Sequence, residues 1–280
     1  MIRKLIKFLL LLSTILIILI IYLSFFGVST QRLNDKIKNE ILGINKSVKL
    51  ELKNVKFLLN PLNLSINIKT YGPKVLINNN KLELEFIKTN IDLKSLINKD
   101  LSIDDLQIST KTIKLNNIIL LARSFKNSTE LFILDRIIKG GVLVGDINLN
   151  FDSDGKIKDD YEIKGFIKNG KLDFFKKNYV EDLNFFFNIK NKKYYLGDIK
   201  GNFNKIKLSS QSINIKEKNN HFFIKGKFIN EKKDNDTKLL NSLIKKKSKD
   251  LNIEDISFGS ENNFIFDFNK KFKISNFNLE

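Results

Sequence analysis

Residues 8–26 read FLLLLSTILIILIIYLSFF, an uncharged run without proline or glycine. As a helix rising about 1.5 Å per residue it spans about 28 Å, close to the roughly 30 Å hydrocarbon core of a bilayer. Phe8, Leu12, Ile17, Ile21 and Phe26 are its candidate anchor residues. Arg3, Lys4 and Lys7 precede the run, and the positive-inside bias then holds the N-terminus in the cytoplasm. Arg32, Lys36 and Lys38 beyond it argue mildly the other way, but the charge before the run is denser. A cleaved signal peptide is the competing reading. Its apolar core is about 7–15 residues, and Gly27-Val28-Ser29 is a poor small-x-small cleavage site. Either route exports the rest of the chain.

The chain contains no cysteine, which excludes disulfides, thiolate metal sites and cysteine nucleophiles. An exported body must therefore be held by packing alone. Its formal charge is +18, and three readings compete for it. Nucleic-acid binding fits a basic, aromatic-rich domain, but export carries the chain away from nucleic acid and the lysines are scattered. Attraction to anionic lipid is the second reading. Lysine as the default solvated residue is the third.

Beyond the run, Ser29-Thr30 is read as the cap of a short helix, Gln31 to Leu42, with Leu33, Ile37 and Ile41 on one stripe and Gly43 as its stop. Packing on the first strands and lying on the membrane surface suit that stripe equally. From Lys46 the apolar period becomes two. Val48, Leu50 and Leu52, then Leu62, Leu64, Ile66 and Ile68, then Leu82, Leu84 and Phe86 alternate with polar residues, the pattern of half-buried antiparallel strands. The apolar residues change register at Phe86-Ile87, where a bulge is expected. Residues 116–139 break the pattern as a helical insertion closing one end of the first sheet. Asn116 or Asn117 is expected to cap its first helix, and Ser128-Thr129-Glu130 to open a second that Gly140-Gly141 closes. Strand alternation resumes from Val142. Asn169-Gly170 and the turn at residues 190–193 read as hairpins. A charged segment, 231–250, carries a further helix candidate capped at Asp236-Thr237. Phe264, Phe266 and Phe268 restart the strands, and the pattern is still running at Glu280, which reads as a fragment or as an open edge.

No catalytic constellation emerges, and the chain is not expected to be an enzyme. His221 is the one histidine and has no partner at ligand spacing. Asp152-Ser153-Asp154-Gly155 opens like a calcium loop but lacks the sixth-position glycine and the twelfth-position glutamate, where Ile163 stands. The acidic pairs Asp104-Asp105, Asp159-Asp160 and Glu181-Asp182 are adjacent residues, which point to opposite faces of a strand. No metal or cofactor is expected. What remains is apolar surface. The 24 phenylalanines fall mostly in the second half, and Phe185-Phe186-Phe187 and Phe264-x-Phe266-x-Phe268 are read as lining single faces. A closed sandwich core would explain them. So would a sheet whose inner face stays open as an apolar trough, a surface suited to acyl chains, which need no polar partner. The candidate lining of that trough is Leu64, Ile66, Leu84, Phe86, Ile147, Leu149, Phe151, Phe185, Phe187, Phe203, Phe222, Ile224, Phe264 and Phe266.

A basic N-terminus, one anchor, a short helix and then strand repeats resemble the AsmA-like proteins, whose relatives include YhdP and TamB. The residues that carry the likeness are Lys4 to Phe26, the helix ending near Gly43, the run LELEFIKTNIDLKSLINKDLSIDDLQI from Leu82 to Ile108, and GDINLNFDSDGKIKDDYEIKGFIKNGKLDF from Gly145 to Phe174. The resemblance implies a protein anchored in the inner membrane of a Gram-negative cell. Its bulk would lie in the periplasm, and a bent sheet open along one side would guide phospholipid toward the outer membrane.

The expected fold is mainly β: a transmembrane helix, a short helix, then an elongated, bent antiparallel sheet forming an open groove, with a few helical insertions. Its divisions are a cytoplasmic tail (1–7), the anchor (8–27), a juxtamembrane helix (28–45), a first β section (46–139), a second section of hairpin repeats (140–232), a charged helix or linker (233–250) and terminal strands (251–280). The expected partners are the membrane and phospholipid, not nucleic acid. An assembly protein that binds other envelope proteins through an exposed sheet edge is the alternative.

Overall fold

The computed structural model describes residues 2–32, 34–35, 38–39, 48–77, 80–94, 103–125, 128–152, 158–174, 178–218, 221–234, 241, 257–269 and 274–280. Of the helix candidate at 236–244 only Asn241 is described, and it is helical; of the turn Asp152-Ser153-Asp154-Gly155 only Asp152 is described.

Helix α1 (Ile2–Phe25) is long and apolar enough to cross a membrane, and none of its residues is buried against the protein. Its serine and threonine hydroxyls satisfy themselves inside the helix: Ser13 and Thr14 donate to the Leu10 carbonyl, and Ser24 to that of Ile20. In hydrocarbon no water could serve them. Phe8, Leu12, Ile17 and Ile21 lie on α1, while Phe26 stands in the turn that ends it. Gly27 closes the helix in the left-handed region (φ 65°), and its N–H donates to the Tyr22 carbonyl. A Cβ there would stand 2.2 Å from the Phe57 carbonyl oxygen.

The chain then enters a strand at once, not a helix. β1 (Val28–Thr30) pairs antiparallel with β3 (Val55–Asn60), so Ser29 and Thr30 are strand residues, although the Thr30 hydroxyl accepts from the Arg32 N–H at 3.1 Å. Helical backbone appears later, at residues 34–35 and 38–39. The reason is local: the left-handed Gly27 turns the chain back along β3, and β-branched Val28 and Thr30 suit the ladder.

The remaining elements are β2 (Val48–Glu51), β4 (Ser65–Tyr71), β5 (Lys74–Ile77), β6 (Asn80–Asp92), β7 (Ile103–Thr110), β8 (Ile113–Lys114), helices α2 (Leu115–Phe125) and α3 (Thr129–Ile137), β9 (Ile138–Asn150), β10 (Glu162–Phe174), β11 (Asn178–Lys190), β12 (Lys193–Phe203), β13 (Ile206–Lys218), β14 (His221–Asp234), β15 (Ser257–Asn269) and β16 (Ile274–Leu279). The strands build one large, open antiparallel sheet in the order β1-β3-β4-β6-β7-β9, continuing to β16 in chain order; β5 pairs with both β2 and β6, and β8 with β9. Contacts divide the chain into two units. The first is Met1–Lys111 with Asp146–Tyr161, and the second is Thr112–Gly145 with Glu162–Glu280.

In the first unit, the small ladder of β2, β5 and the start of β6 builds a closed core. Leu50, Leu52 and the fully buried Val55 form it, with Phe57, Ile68, Val75 and Ile87 packed around. Two residues apart on one face of β6, Lys81 and Glu83 pair at 3.1 Å; that hydrogen bond raises the lysine's pKa and lowers the glutamate's. The register shift expected near Phe86 is present, between Leu84 and Phe86. Leu62 and Leu64, however, are not strand residues. They stand in the turn between β3 and β4, and Leu64 adopts φ 47°. The strand that the alternation missed is β3 itself, whose Phe57-Leu58-Leu59 is apolar without a break.

In the second unit, Ser128 caps α3 as expected: its side chain accepts from the Leu131 N–H. Helix α2 begins at Leu115, ahead of both candidate asparagine caps, and Gly140-Gly141 lie inside β9 rather than closing a helix. The helical pair belongs to this unit, with α2 against β8 and α3 against β10. An Arg123–Asp135 ion pair at 2.5 Å joins the two helices. Asn169-Gly170 is not a hairpin. β10 runs through it with a register shift, and Asn169, at φ 52°, gives its N–H to the Asn184 side chain. The left-handed preference that makes Asn-Gly a turn signal serves a bulge equally well. True two-residue hairpins form at Asn191-Lys192 (φ 51° and 59°) and Asn204-Lys205 (φ 46° and 72°).

Leu50→Ala is expected to cost about 2–5 kcal/mol, as buried leucine truncations do. Leu62→Ala, at a position 93 % exposed, should change stability by less than about 0.5 kcal/mol. Chemical denaturation of the detergent-solubilised chain measures both, and equal effects would dissolve the closed core.

Candidate apolar ligand face

Cross-strand register assembles the apolar residues into rows. In the first unit one row runs Phe57, Ile68, Thr89, Leu106, Leu149, and the next runs Leu59, Ile66, Ile91, Ile103. Beside them lies Val55, Thr70, Ile87, Ile108, Ile147. Ile66, Ile147 and Leu149 therefore share a face, and Phe151 follows in a bridge just past β9. Three expected members do not join them. Phe86 lies on the opposite face, where the Lys69 ammonium stands 4.2 Å from its ring centroid, because Ile87 rather than Phe86 continues the row. Leu84 is buried, 6 % exposed. Leu64 belongs to the turn described above.

In the second unit the row Gly165, Phe187, Leu196, Ile213, Gly226, Phe264 crosses six strands. The next row is Ile163, Ile189, Tyr194, Ile215, Ile224, Phe266. Phe222 and Phe268 pair in the row beyond, their rings stacked at 5.1 Å. Phe185 and Phe187 meet edge to face at 6.5 Å, while Phe186 points to the other side and packs on Phe166; the three do not line one face, because strand side chains alternate. Phe203 ends β12, opposite Val180 and Ile206. Tyr194 and Leu196 complete the face and were not singled out from sequence. Their signal was the two-residue turn at Asn191-Lys192, which fixes which residues of β12 continue the β11 alternation.

The two glycines make the packing possible. A Cβ on Gly226 would stand 2.6 Å from the Phe264 ring and 2.9 Å from Ile213, and one on Gly165 would stand 2.4 Å from the Val144 carbonyl oxygen and 2.8 Å from the Phe187 ring. The rings of neighbouring strands thus lie over bare backbone.

Burial along this face is uneven. Ile199, Ile213 and Phe264 are buried by their neighbours, whereas Phe185, Phe187, Tyr194, Phe222, Ile224, Phe266 and Phe268 stay half-buried. Within this unit the extensive strand contacts are between ladder neighbours, and no described second sheet lies across the rings. The chemistry available is apolar contact. Among the described residues no group of three His, Asp or Glu side chains could hold a metal ion. His221 pairs with Asp267 at 3.4 Å on the opposite face.

No protein-family model matches this sequence, and no curated protein matches it. The face must be read from its own geometry.

Because the chain is free of cysteine, single cysteines report exposure cleanly. Replacing Phe222 or Phe268 by cysteine should give a thiol that reacts with a water-soluble maleimide about as fast as one at exposed Phe223. A cysteine at Val55 should react orders of magnitude more slowly. Slow reaction at all the positions would mean that a layer covers the rings.

Proposed function

We propose that this protein is a membrane-anchored acyl-chain carrier that holds phospholipid tails against the phenylalanine face and passes them along it without chemistry. The observation that carries this reading is the half-exposed set of rings and aliphatic side chains on a sheet with no described second layer over it. Apolar surface of that extent on a folded protein marks an interface or a ligand groove. Each methylene that leaves water for it contributes about 0.8 kcal/mol, so even partial burial of a tail is worth several kcal/mol. The face is lined by side chains without charge, so no buried ion has to be compensated when a tail displaces water.

The spanning-length α1 supports a tether in the lipid source membrane. With the basic flank it supports an inner-membrane protein whose sheet lies in the periplasm. The likeness of the layout to AsmA-like proteins points the same way. The closed core at Leu50, Leu52 and Val55 belongs to the strands nearest the tether in sequence.

Photocrosslinking of the full chain in its membrane tests the proposal. Benzoylphenylalanine at Phe266 or Phe187 should capture phospholipid on irradiation, and at Ile265, exposed on the opposite face, it should not. Capture of protein at a β16 position together with no lipid at Phe266 would favour strand addition at a sheet edge instead. Equal lipid capture at Phe266 and Ile265 would reduce the face to general membrane proximity and remove the carrier reading.

A further inference from the structure

The second unit's other face carries a feature that the acyl-chain reading leaves unused. In the outermost row of the β11–β12–β13 ladder, Lys190 stands opposite Lys193, and Lys193 opposite Lys216. Three cations therefore occupy directly opposed positions on three successive strands. Like charges so placed repel one another and weaken the ladder. Opposed cations of this kind are normally offset by an acid in the same row. Here the one acid at the near end is Glu162, opposite Lys190, and its Oε1 accepts from the Asn188 amide at 3.2 Å. No described acid forms an ion pair with Lys190, Lys193 or Lys216. On the far side of Lys216 the row continues to Phe223 and Asp267, and Asp267 is engaged with His221.

The next row inward on this face supplies polar and aromatic groups. Asn188 stands opposite Tyr195, and Tyr195 opposite Asn214. Together with the three lysines these side chains line a shallow cavity of about 290 Å³. The tight turn Asn191-Lys192 fixes the backbone on one side, so Lys190 and Lys193 are held in register by a two-residue hairpin rather than by a loose loop.

From this geometry we infer that Lys190, Lys193 and Lys216 form a binding site for a phosphate-bearing anion, with Asn188, Asn214 and Tyr195 beneath it. Three ammonium groups provide nine donors around one recess, matched to a group with several acceptor oxygens and more than one negative charge. Ligand binding relieves the mutual repulsion that the empty row carries. The shared chemistry is the phosphate group, presented either by a soluble anion or by the headgroup of an anionic lipid. The three lysines lie on the face opposite the phenylalanine rows, at the hairpin end of the ladder, and the cavity also reaches Tyr194 and Ile215 of those rows; the site needs no acyl chain on them.

Phosphorus NMR of the full chain in non-ionic detergent tests it at constant ionic strength. One arm adds pyrophosphate, and the other adds phosphatidylglycerol to the micelles. Wild-type protein should broaden the phosphorus resonance in at least one arm. Pyrophosphate alone identifies a soluble ligand, phosphatidylglycerol alone a headgroup, and both together a site for the phosphate group as such. The triple variant K190Q/K193Q/K216Q should lose at least tenfold in affinity while melting no lower than wild type, since it removes only repulsion. A control variant with the same charge change, K139Q/K200Q/K207Q, should retain binding. Equal loss in the two variants would make the effect one of net charge and overturn the site. So would broadening that survives K190Q/K193Q/K216Q unchanged, or none in wild type.

Discussion

A sheet satisfies its backbone through its ladders but leaves two faces to be accounted for, and most folds bury one of them under a second layer. In this protein the ladders are extensive, and among the described residues the second layer is local. The short β2–β5 ladder closes over Val55 in the first unit, and the α2–α3 pair attends β8 and β10 in the second. Between these, alternation puts one apolar face to each strand, and that face is stabilised chiefly by its own cross-strand neighbours. Side-chain rows that span five or six strands replace the interdigitated core of a sandwich. The stability of such a sheet rests on cross-strand pairs, each worth a fraction of a kcal/mol, more than on deep burial.

The details of the second unit follow from that arrangement. Among the described residues no second sheet meets the large rings from above, so each lies down on its neighbour. Gly165 and Gly226 give Phe187 and Phe264 somewhere to lie. Bulges at Asn169 and Asp198 use residues that tolerate positive φ, and they move side chains from one face to the other where the alternation would otherwise fail: Leu196 and Ile199 both join the apolar cluster although they are an odd three positions apart. On the opposite face the same regular register lines up lysines as strictly as it lines up phenylalanines, and what is a stabilising row on one side becomes a repulsive one on the other.

Much of this was legible in the sequence, for a physical reason. Period-two alternation is the direct signature of a half-buried strand, so β4, β7, β9, β11, β13, β14 and β15 could be placed from it. So could the α3 cap at Ser128 and the turn at Asn191-Lys192. β3 was not visible, because its apolar run does not alternate. Asn169-Gly170 misled because a bulge and a hairpin ask the same of the backbone. Phe86 was assigned to the wrong face because the shift between Leu84 and Phe86 breaks parity, and a sequence shows that a break exists before it shows on which side the ring emerges. The like-charge row could not be found at all without register: Lys190 and Lys193 are near in sequence, but Lys216 is brought opposite only by pairing.

From β10 to β16 the strand order simply repeats the chain order. Each strand leans on its predecessor and its successor, so cohesion in that region is a sum of nearest-neighbour terms, as in a linear repeat array. Such a sheet has no obligatory size. A hairpin inserted or removed would alter its extent by one increment without asking any distant residue to repack, and natural variation in reach could be achieved by counting hairpins rather than by redesigning a core.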